Sequence, residues 1–304
     1  MSRAVPAVPA PGSADSTAAA KASTARQWLP ALATLVASAA LVTGLAAPAS
    51  AAEPTTAAAP VVEGKAGFHP ERDFAGSTVA AHEGRAHAPA VASLAVTQTQ
   101  GLDVSSYQGS VNWGSVAANG ARFAYVKATE GTGYTNPSFA QQYNGSYNSG
   151  LIRGAYHFAL PNSSSGATQA NYFVSHGGGW SADGKTLPPA LDIEYNPYGA
   201  TCYGLSQSAM VSWIRSFSDT VHSRTGRYPT IYTTTNWWSQ CTGNYGGFGA
   251  TNPLWVARYS TSAGTLPNGW GYYTFWQYAD SGTFPGDQDV FNGAADRLQA
   301  LALG

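Results

Sequence analysis

The chain has 304 residues, a formal net charge of −1 and only 10% charged residues. It has no Lys/Arg cluster or basic stripe, which excludes nucleic acid as a main partner. Its 34 glycines and 17 tyrosines give a weakly charged, turn-rich and aromatic chain, and the length admits one large domain or two small ones.

The N-terminus reads as a targeting signal. Arg3, Lys21 and Arg26 flank the start of an apolar run from about Trp28 to Ala47, broken by Pro30 and followed by Ala49-Ser50-Ala51. That pattern predicts a signal peptide over 1–51, cleavage before Ala52 and a secreted, extracellular product. No later segment has the roughly 18 uninterrupted apolar residues that a membrane span needs, so no stable membrane association is expected after cleavage. Residues 52–98 are rich in Ala, Pro and Thr and lack helix or strand period. They read as a propeptide or disordered linker. Within them, Phe68-His69-Pro70-Glu71-Arg72-Asp73 has mixed character and no assignable role.

From about Thr99 to Gly304 strand signals recur: Gly101–Val104, Arg122–Ala128, Ile152–Phe158, Ala190–Glu194, Thr230–Thr234, Leu254–Ala257, Tyr272–Tyr278 and a short one near Val290-Phe291. Helical patterns lie between the earlier strands, at Trp113–Asn119, Phe139–Ser149, Thr168–Ser175 and Ser206–Thr225. In the last of these, Met210, Trp213, Ile214, Phe217 and Val221 follow the spacing of one buried face. Ser206 can cap its start and Gly226 can stop it. No long helix is predicted after Thr234. Strand–helix alternation implies parallel strands joined by crossovers. Eight strands predict an α/β fold, a modified TIM-like barrel with an incomplete helix ring, (β/α)5(β)3-like, over residues 99–304.

Such barrels carry their active site at the C-terminal ends of the strands. The polar residues collect there: Asp103 ends the first strand, Lys127 to Glu130 follow the second, and Tyr156-His157 close the third. Asp192 and Glu194 close the fourth, Tyr232 the fifth and Gln277 the seventh. Cys202 and Cys241 lie in the loops after strands four and five. An even count in an exported chain, on neighbouring loops, predicts a disulfide between them. Neither cysteine has a C-x-x-C partner or a nearby His pair, so no metal site and no cofactor are expected.

Leu191-Asp192-Ile193-Glu194 carries the chemistry. Residues i and i+2 of a strand point to the same side, so Asp192 and Glu194 project together, and mutual repulsion raises the proton affinity of one of them. A paired acid and base is what glycosidic bond cleavage needs. The competing reading is a strand end tied down by salt bridges or helix caps.

Several stretches in order resemble glycoside hydrolase family 25, the Chalaropsis-type lysozymes (N-acetylmuramidases). They are Gly101-Leu102-Asp103-Val104-Ser105-Ser106-Tyr107-Gln108, Phe123 to Gly131, Gly154-Ala155-Tyr156-His157-Phe158, Leu191 to Glu194, Trp276-Gln277-Tyr278 and Asp287 to Gly293. The resemblance covers about residues 99–304. It implies hydrolysis of the β-1,4 bond between N-acetylmuramic acid and N-acetylglucosamine, with bacterial peptidoglycan glycan strands as partner and a monomer as the working unit.

The same resemblance assigns roles. Glu194 is the expected general acid/base, which must hold a proton near neutral pH. Asp192 is expected to stay ionised and to orient the substrate's 2-acetamido group, which attacks the anomeric carbon; its other possible role is base or nucleophile in a two-carboxylate scheme. Asp103 is expected to position substrate or tune Glu194. Asp287 is preferred over Asp289 as the fourth acid. Tyr107, Tyr125, Tyr156, Tyr232 and Trp276 are candidates for lining the sugar groove, because aromatic faces stack on sugar rings. Lys127 and Gln277 are candidates for bonding sugar or peptide groups. His157 is expected to be structural. No wall-binding repeat follows the last strand, so the groove itself is expected to supply binding. Two other classes compete: a chitinase-like barrel hydrolase, against which Leu187-Pro188-Pro189-Ala190 stands where further acids would be expected, and a non-catalytic wall-binding module, against which the four retained acids stand.

Overall fold

The structure, a computed structural model, describes residues 67–85 and 98–304. The expected signal peptide at 1–51 lies outside the described residues.

In chain order the elements are α1 (Val79–Glu83), β1 (Thr99–Val104), α2 (Trp113–Ala118), β2 (Phe123–Glu130), β3 (Tyr134–Thr135), α3 (Phe139–Asn148), β4 (Ile152–Phe158) and α4 (Gly166–Ser175). They continue with β5 (Ala190–Asp192), α5 (Gln207–Thr225), β6 (Thr230–Thr233), α6 (Thr235–Thr242), β7 (Leu254–Ala257), β8 (Phe275–Ala279), β9 (Asp287–Phe291) and α7 (Ala295–Leu303). The barrel closes because β1 pairs with both β2 and β9. Seven of its strands run parallel, and β9 is antiparallel to β1 and β8. The two-residue β3 pairs only with the end of β2. Each of the first five barrel strands is followed by a helix, β7 and β8 are not, and β9 leads into the C-terminal α7, so the helix ring is incomplete as the sequence predicts.

Period-two alternation divides each strand between two cores. Phe123, Tyr125, Tyr156, Trp255, Phe275 and Phe291 fill the barrel interior. Leu102, Val104, Ala124 and Val126 face outward onto Trp113 and Val116 of α2. Leu191, Ile231, Leu254 and Val256 face the larger outer layer built on α4 and α5. Helix α5 buries Met210, Trp213, Ile214, Phe217 and Val221 as their spacing predicts. Ser206 caps it by accepting from the Ala209 N–H, and Gly226 ends it in the left-handed region at φ 76°. Only glycine takes that conformation without strain.

Besides the short α1, two helices of the barrel were not anticipated. Thr234 caps α6 by accepting from the Trp237 N–H. Helix α7 buries Leu298 and Ala302, four residues apart, which is its only apolar face. Both are short, so their period is carried by too few residues to stand out. Cys202 and Cys241 form the expected disulfide with Cα atoms 5.3 Å apart, although Cys241 sits in the last turn of α6 and not in a loop. The bridge closes 39 residues. Cys202→Ser with Cys241→Ser is expected to lower unfolding free energy by about 2–4 kcal/mol on the chain-entropy scale. A denaturant midpoint equal to that of the parent would show that the bridge constrains nothing.

Gly67–Arg85 lies within the stretch read as a propeptide or disordered linker and is ordered against the barrel, which a linker would not be. It packs against the barrel's C-terminal face, with Pro70, Asp73, Ala75, Gly76 and Val79 buried. No helix among the described residues is long and apolar enough to cross a membrane.

Candidate active site

The inward positions at the ends of β1, β2, β5, β8 and β9 bring Asp103, Lys127, Asp192, Gln277 and Asp287 to one mouth of the barrel, with Glu194 two residues beyond β5. All are buried. The Gln277 amide joins the acids. Its Nε2 lies 2.8 Å from Asp103 Oδ2 and 2.9 Å from Asp287 Oδ2, while its Oε1 accepts from Tyr232 Oη at 2.8 Å and lies 3.2 Å from Tyr259 Oη. Asp103 and Asp287 are cross-strand partners in the β1–β9 ladder. That register places Asp287 beside the other acids. Asp289, two residues deeper, accepts from the Trp255 indole at 2.8 Å and also meets the Asp103 carboxyl.

Removal from water dominates the electrostatics. Burial pushes the Asp103 carboxyl up to about 7. Burial likewise pushes Glu194 up to about 7, with the Asp103 charge adding to it. Asp192 rises well above the ordinary carboxylate range, first through burial and then through the Glu194 charge. Neither Asp192 oxygen has a hydrogen-bond partner among the described residues. In the closed mouth burial therefore favours the neutral form of Asp192. Desolvation disfavours the charged form of any acid that lacks donors, and this mouth is closed to water.

Gly67–Arg85 is what closes it. The Gly76 N–H donates to Glu194 Oε1 at 2.7 Å, and Thr78 Oγ1 donates to Glu194 Oε2 at 2.6 Å. Gln277 Nε2 donates to the Ala75 carbonyl at 2.8 Å, Tyr259 Oη to the Gly76 carbonyl at 3.0 Å, and the Ala75 N–H to Tyr156 Oη at 3.3 Å. Lys127 Nζ donates to the Pro70 carbonyl at 3.0 Å, to the Asp73 carbonyl, and to Glu130 Oε2 at 2.6 Å.

The structure separates the other candidates. Tyr156 and Tyr232 reach the mouth through the bonds just given. Tyr107 lies at its rim, 66% exposed, with its ring 5.4 Å from that of Phe74. Tyr125 is directed the other way. Its hydroxyl donates to the Pro188 carbonyl at 3.0 Å and lies 3.3 Å from Thr230 Oγ1, at the opposite ends of β5 and β6. Trp276 is not a groove residue either. Phe275 and Gln277 face inward, so alternation turns Trp276 outward, where its indole donates to the Arg258 carbonyl at 2.9 Å. His157 faces outward between Thr129 and Gln169, and burial lowers it to about 3, as suits a structural histidine.

Three tyrosines at the mouth went unassigned in the sequence: Tyr195, Tyr198 and Tyr259. Tyr195 stacks on His82 with centroids 4.0 Å apart and planes 3° apart. Tyr198 donates to Glu130 Oε1 at 2.9 Å and also contacts Asp73 Oδ2. All three follow the C-terminal end of a barrel strand, and that position is the signal that would have found them. No group of three or more His, Cys, Asp or Glu side chains suited to hold a metal ion occurs among the described residues.

Residues 102–287 match the model of glycosyl hydrolases family 25. The chain is 54% identical over 208 residues to Lysozyme M1 of Streptomyces globisporus, covering 67% of this chain and 71% of that protein. It is 53% identical over 209 residues to the N,O-diacetylmuramidase of Chalaropsis sp, covering 67% of this chain and 99% of the relative. Among solved structures, the muramidase from Acremonium alcalophilum is 61% identical with a TM-score of 0.67, covering 68% of this chain and 99% of that one.

Proposed function

The chain belongs to glycosyl hydrolase family 25, and on that premise we propose that it is a lysozyme. Its reaction is hydrolysis of the β-1,4 bond between N-acetylmuramic acid and N-acetylglucosamine in bacterial peptidoglycan. The relatives named as lysozyme and N,O-diacetylmuramidase support that substrate class. The observation that carries the reading is the convergence of Glu194 and Asp192 with Asp103, Gln277 and Asp287 at one barrel mouth, where burial under Gly67–Arg85 raises the Glu194 carboxyl to about 7. A carboxyl that is still protonated near neutral pH can serve as the acid for a leaving glycosidic oxygen.

In the proposed sequence Glu194 gives its proton to the leaving oxygen. The substrate's own 2-acetamido oxygen attacks the anomeric carbon from the opposite face. Asp192 accepts the acetamido N–H and stabilises the positive charge that develops there. Glu194, now a carboxylate, takes a proton from the incoming water, which opens the cyclic intermediate with overall retention. Asp103 and Asp287, tied through Gln277, hold the sugar and tune Glu194. Tyr156, Tyr232 and Lys127 bond to polar groups of the substrate, and Tyr107 extends the groove at the rim. The protein acts outside the cell, as a monomer, with no cofactor.

The test is digestion of purified peptidoglycan by the protein with and without residues 67–85. Released fragments are reduced and identified by mass. Muramic acid at the reducing end is the expected product. Release of chitobiose-type sugars from chitin, with nothing from peptidoglycan, would move the assignment to a chitinase. No release from either form would leave a wall-binding module.

A further inference from the structure

We propose that Gly67–Arg85 is a built-in inhibitor that occupies the substrate groove, so that the enzyme is made in a latent form and freed by hydrolysis of a peptide bond between residues 86 and 97. This rests on the proposed function, since it takes Glu194 and its neighbours as the catalytic mouth. The segment lies outside the family match, which begins at residue 102.

The contacts are those of a ligand. Both Glu194 oxygens are taken, one by the Gly76 amide and one by the Thr78 hydroxyl. These are the atoms that must face the scissile oxygen, so the segment stands where the substrate must bind. Peptide carbonyls replace sugar oxygens on Gln277, Tyr259 and Lys127. His82 lies flat on Tyr195, and the Phe68 ring sits 5.3 Å from that of Tyr198, using aromatic faces as a sugar ring would. Ala75 and Val79 are wholly buried, and Arg85 pairs with Asp280 at the far end of the segment. The fit is tightest at Gly76, with φ 93°. A Cβ there would collide with the Tyr259 hydroxyl and lie 2.5 Å from Gln277 Oε1 and 3.0 Å from Asp287 Oδ2.

The segment also carries a proton-dependent contact. The Tyr198 hydroxyl bridges Asp73 Oδ2 and Glu130 Oε1, yet it has one proton to give. The crowding of both carboxyls on this one hydroxyl favours a proton on one of the acids. Burial, then the Glu130 charge, raises Asp73 to about 8, with Glu194 adding to the rise and Lys127 opposing it. An undocked Asp73 has its ordinary value of 3.8, so docking takes up a proton between those values. Docking is full below the lower value and weakens as pH rises through the window. Uncut protein is expected to gain activity, relative to the cut form, as pH rises from 5 to 8. Asp73→Asn, which needs no proton, is expected to flatten that trend. A trend of the opposite sign, or one unchanged in Asp73→Asn, would remove Asp73 from the device.

The deciding experiment uses the full chain with a site for a specific protease introduced between residues 86 and 97. Hydrolysis of peptidoglycan is measured uncut, cut, and cut with the released segment removed. A synthetic peptide of residues 67–85 is then added back. Removal is expected to raise the rate by at least about tenfold, because a tethered segment competes at an effective concentration near millimolar. The added peptide is expected to inhibit only at comparable concentrations. Gly76→Val in the uncut chain is expected to bring activity toward the cut level. Equal rates before and after removal, or an uncut Gly76→Val as inactive as the parent, would overturn the proposal. So would unfolding on removal, which would make the segment a structural part of the barrel. Peptide binding to the cut barrel, measured by calorimetry, with no hydrolysis in any form would overturn the lysozyme reading while supporting occupancy of the groove.

Discussion

Glu194→Gln is expected to take peptidoglycan hydrolysis by the freed barrel to the assay floor, a loss of about 10²–10⁴-fold, the usual worth of a positioned general acid. The substitution keeps shape and removes only the proton that must be transferred. The fold is expected to survive, because the new amide oxygen still accepts from the Gly76 N–H and the amide nitrogen can donate to Thr78 Oγ1 where the carboxylate now accepts. Thermal melting of the uncut chain should therefore match the parent. The pH profile of the parent supplies a second check. Burial under Gly67–Arg85 raises Glu194 to about 7 against an ordinary 4.5; in the freed barrel, as for any general acid, the active form is lost as pH rises through the pKa of the open site. The alkaline limb of the rate profile should therefore vanish in any residual activity of the variant. Undiminished hydrolysis by Glu194→Gln would remove Glu194 from the mechanism.

The barrel was legible because its signals are periodic. Eight strands and the first four helices between them were readable from alternation and from the buried stripe of α5, and Asp103, Asp192, Glu194, Gln277 and Asp287 arrive together because strand ends converge. The errors at Trp276 and Tyr125 come from reading residue type without parity and direction. Trp276 adjoins Gln277 in sequence and faces the other way, while Tyr125 shares the inward parity of Lys127 but reaches toward Pro188. The segment at 67–85 was illegible for a different reason. It holds the mouth mainly through the Gly76 amide and the carbonyls of Pro70, Asp73, Ala75 and Gly76. Backbone groups are the same in every residue, so contacts made by them leave no pattern in sequence. Only the small size of Gly76 records the fit.

Asp192→Asn is expected to separate stability from activity. In the closed mouth Asp192 is buried, both of its oxygens lack partners, and burial with the adjacent Glu194 charge raises its proton affinity well above normal. An acid in that position costs stability, since the folded state must either bury a charge or take up a proton. Asparagine has nearly the same shape and neither requirement. The uncut variant is therefore expected to be at least as stable as the parent. The advantage has a definite sign with pH. The folded parent binds a proton more tightly than the unfolded chain, so its stability falls as pH rises above the ordinary aspartate value of 3.8, and the gap in denaturant midpoint should be wider at pH 8 than at pH 4. Hydrolysis by the freed barrel should move the other way and fall by about 10²–10³-fold, the size of losing one preorganised electrostatic contact to the transition state. An Asp192→Asn protein that is less stable but fully active would make Asp192 a structural acid. The combination of greater stability and lost activity would instead mark it as a group kept at a cost to the fold because the reaction needs its charge once the groove is open.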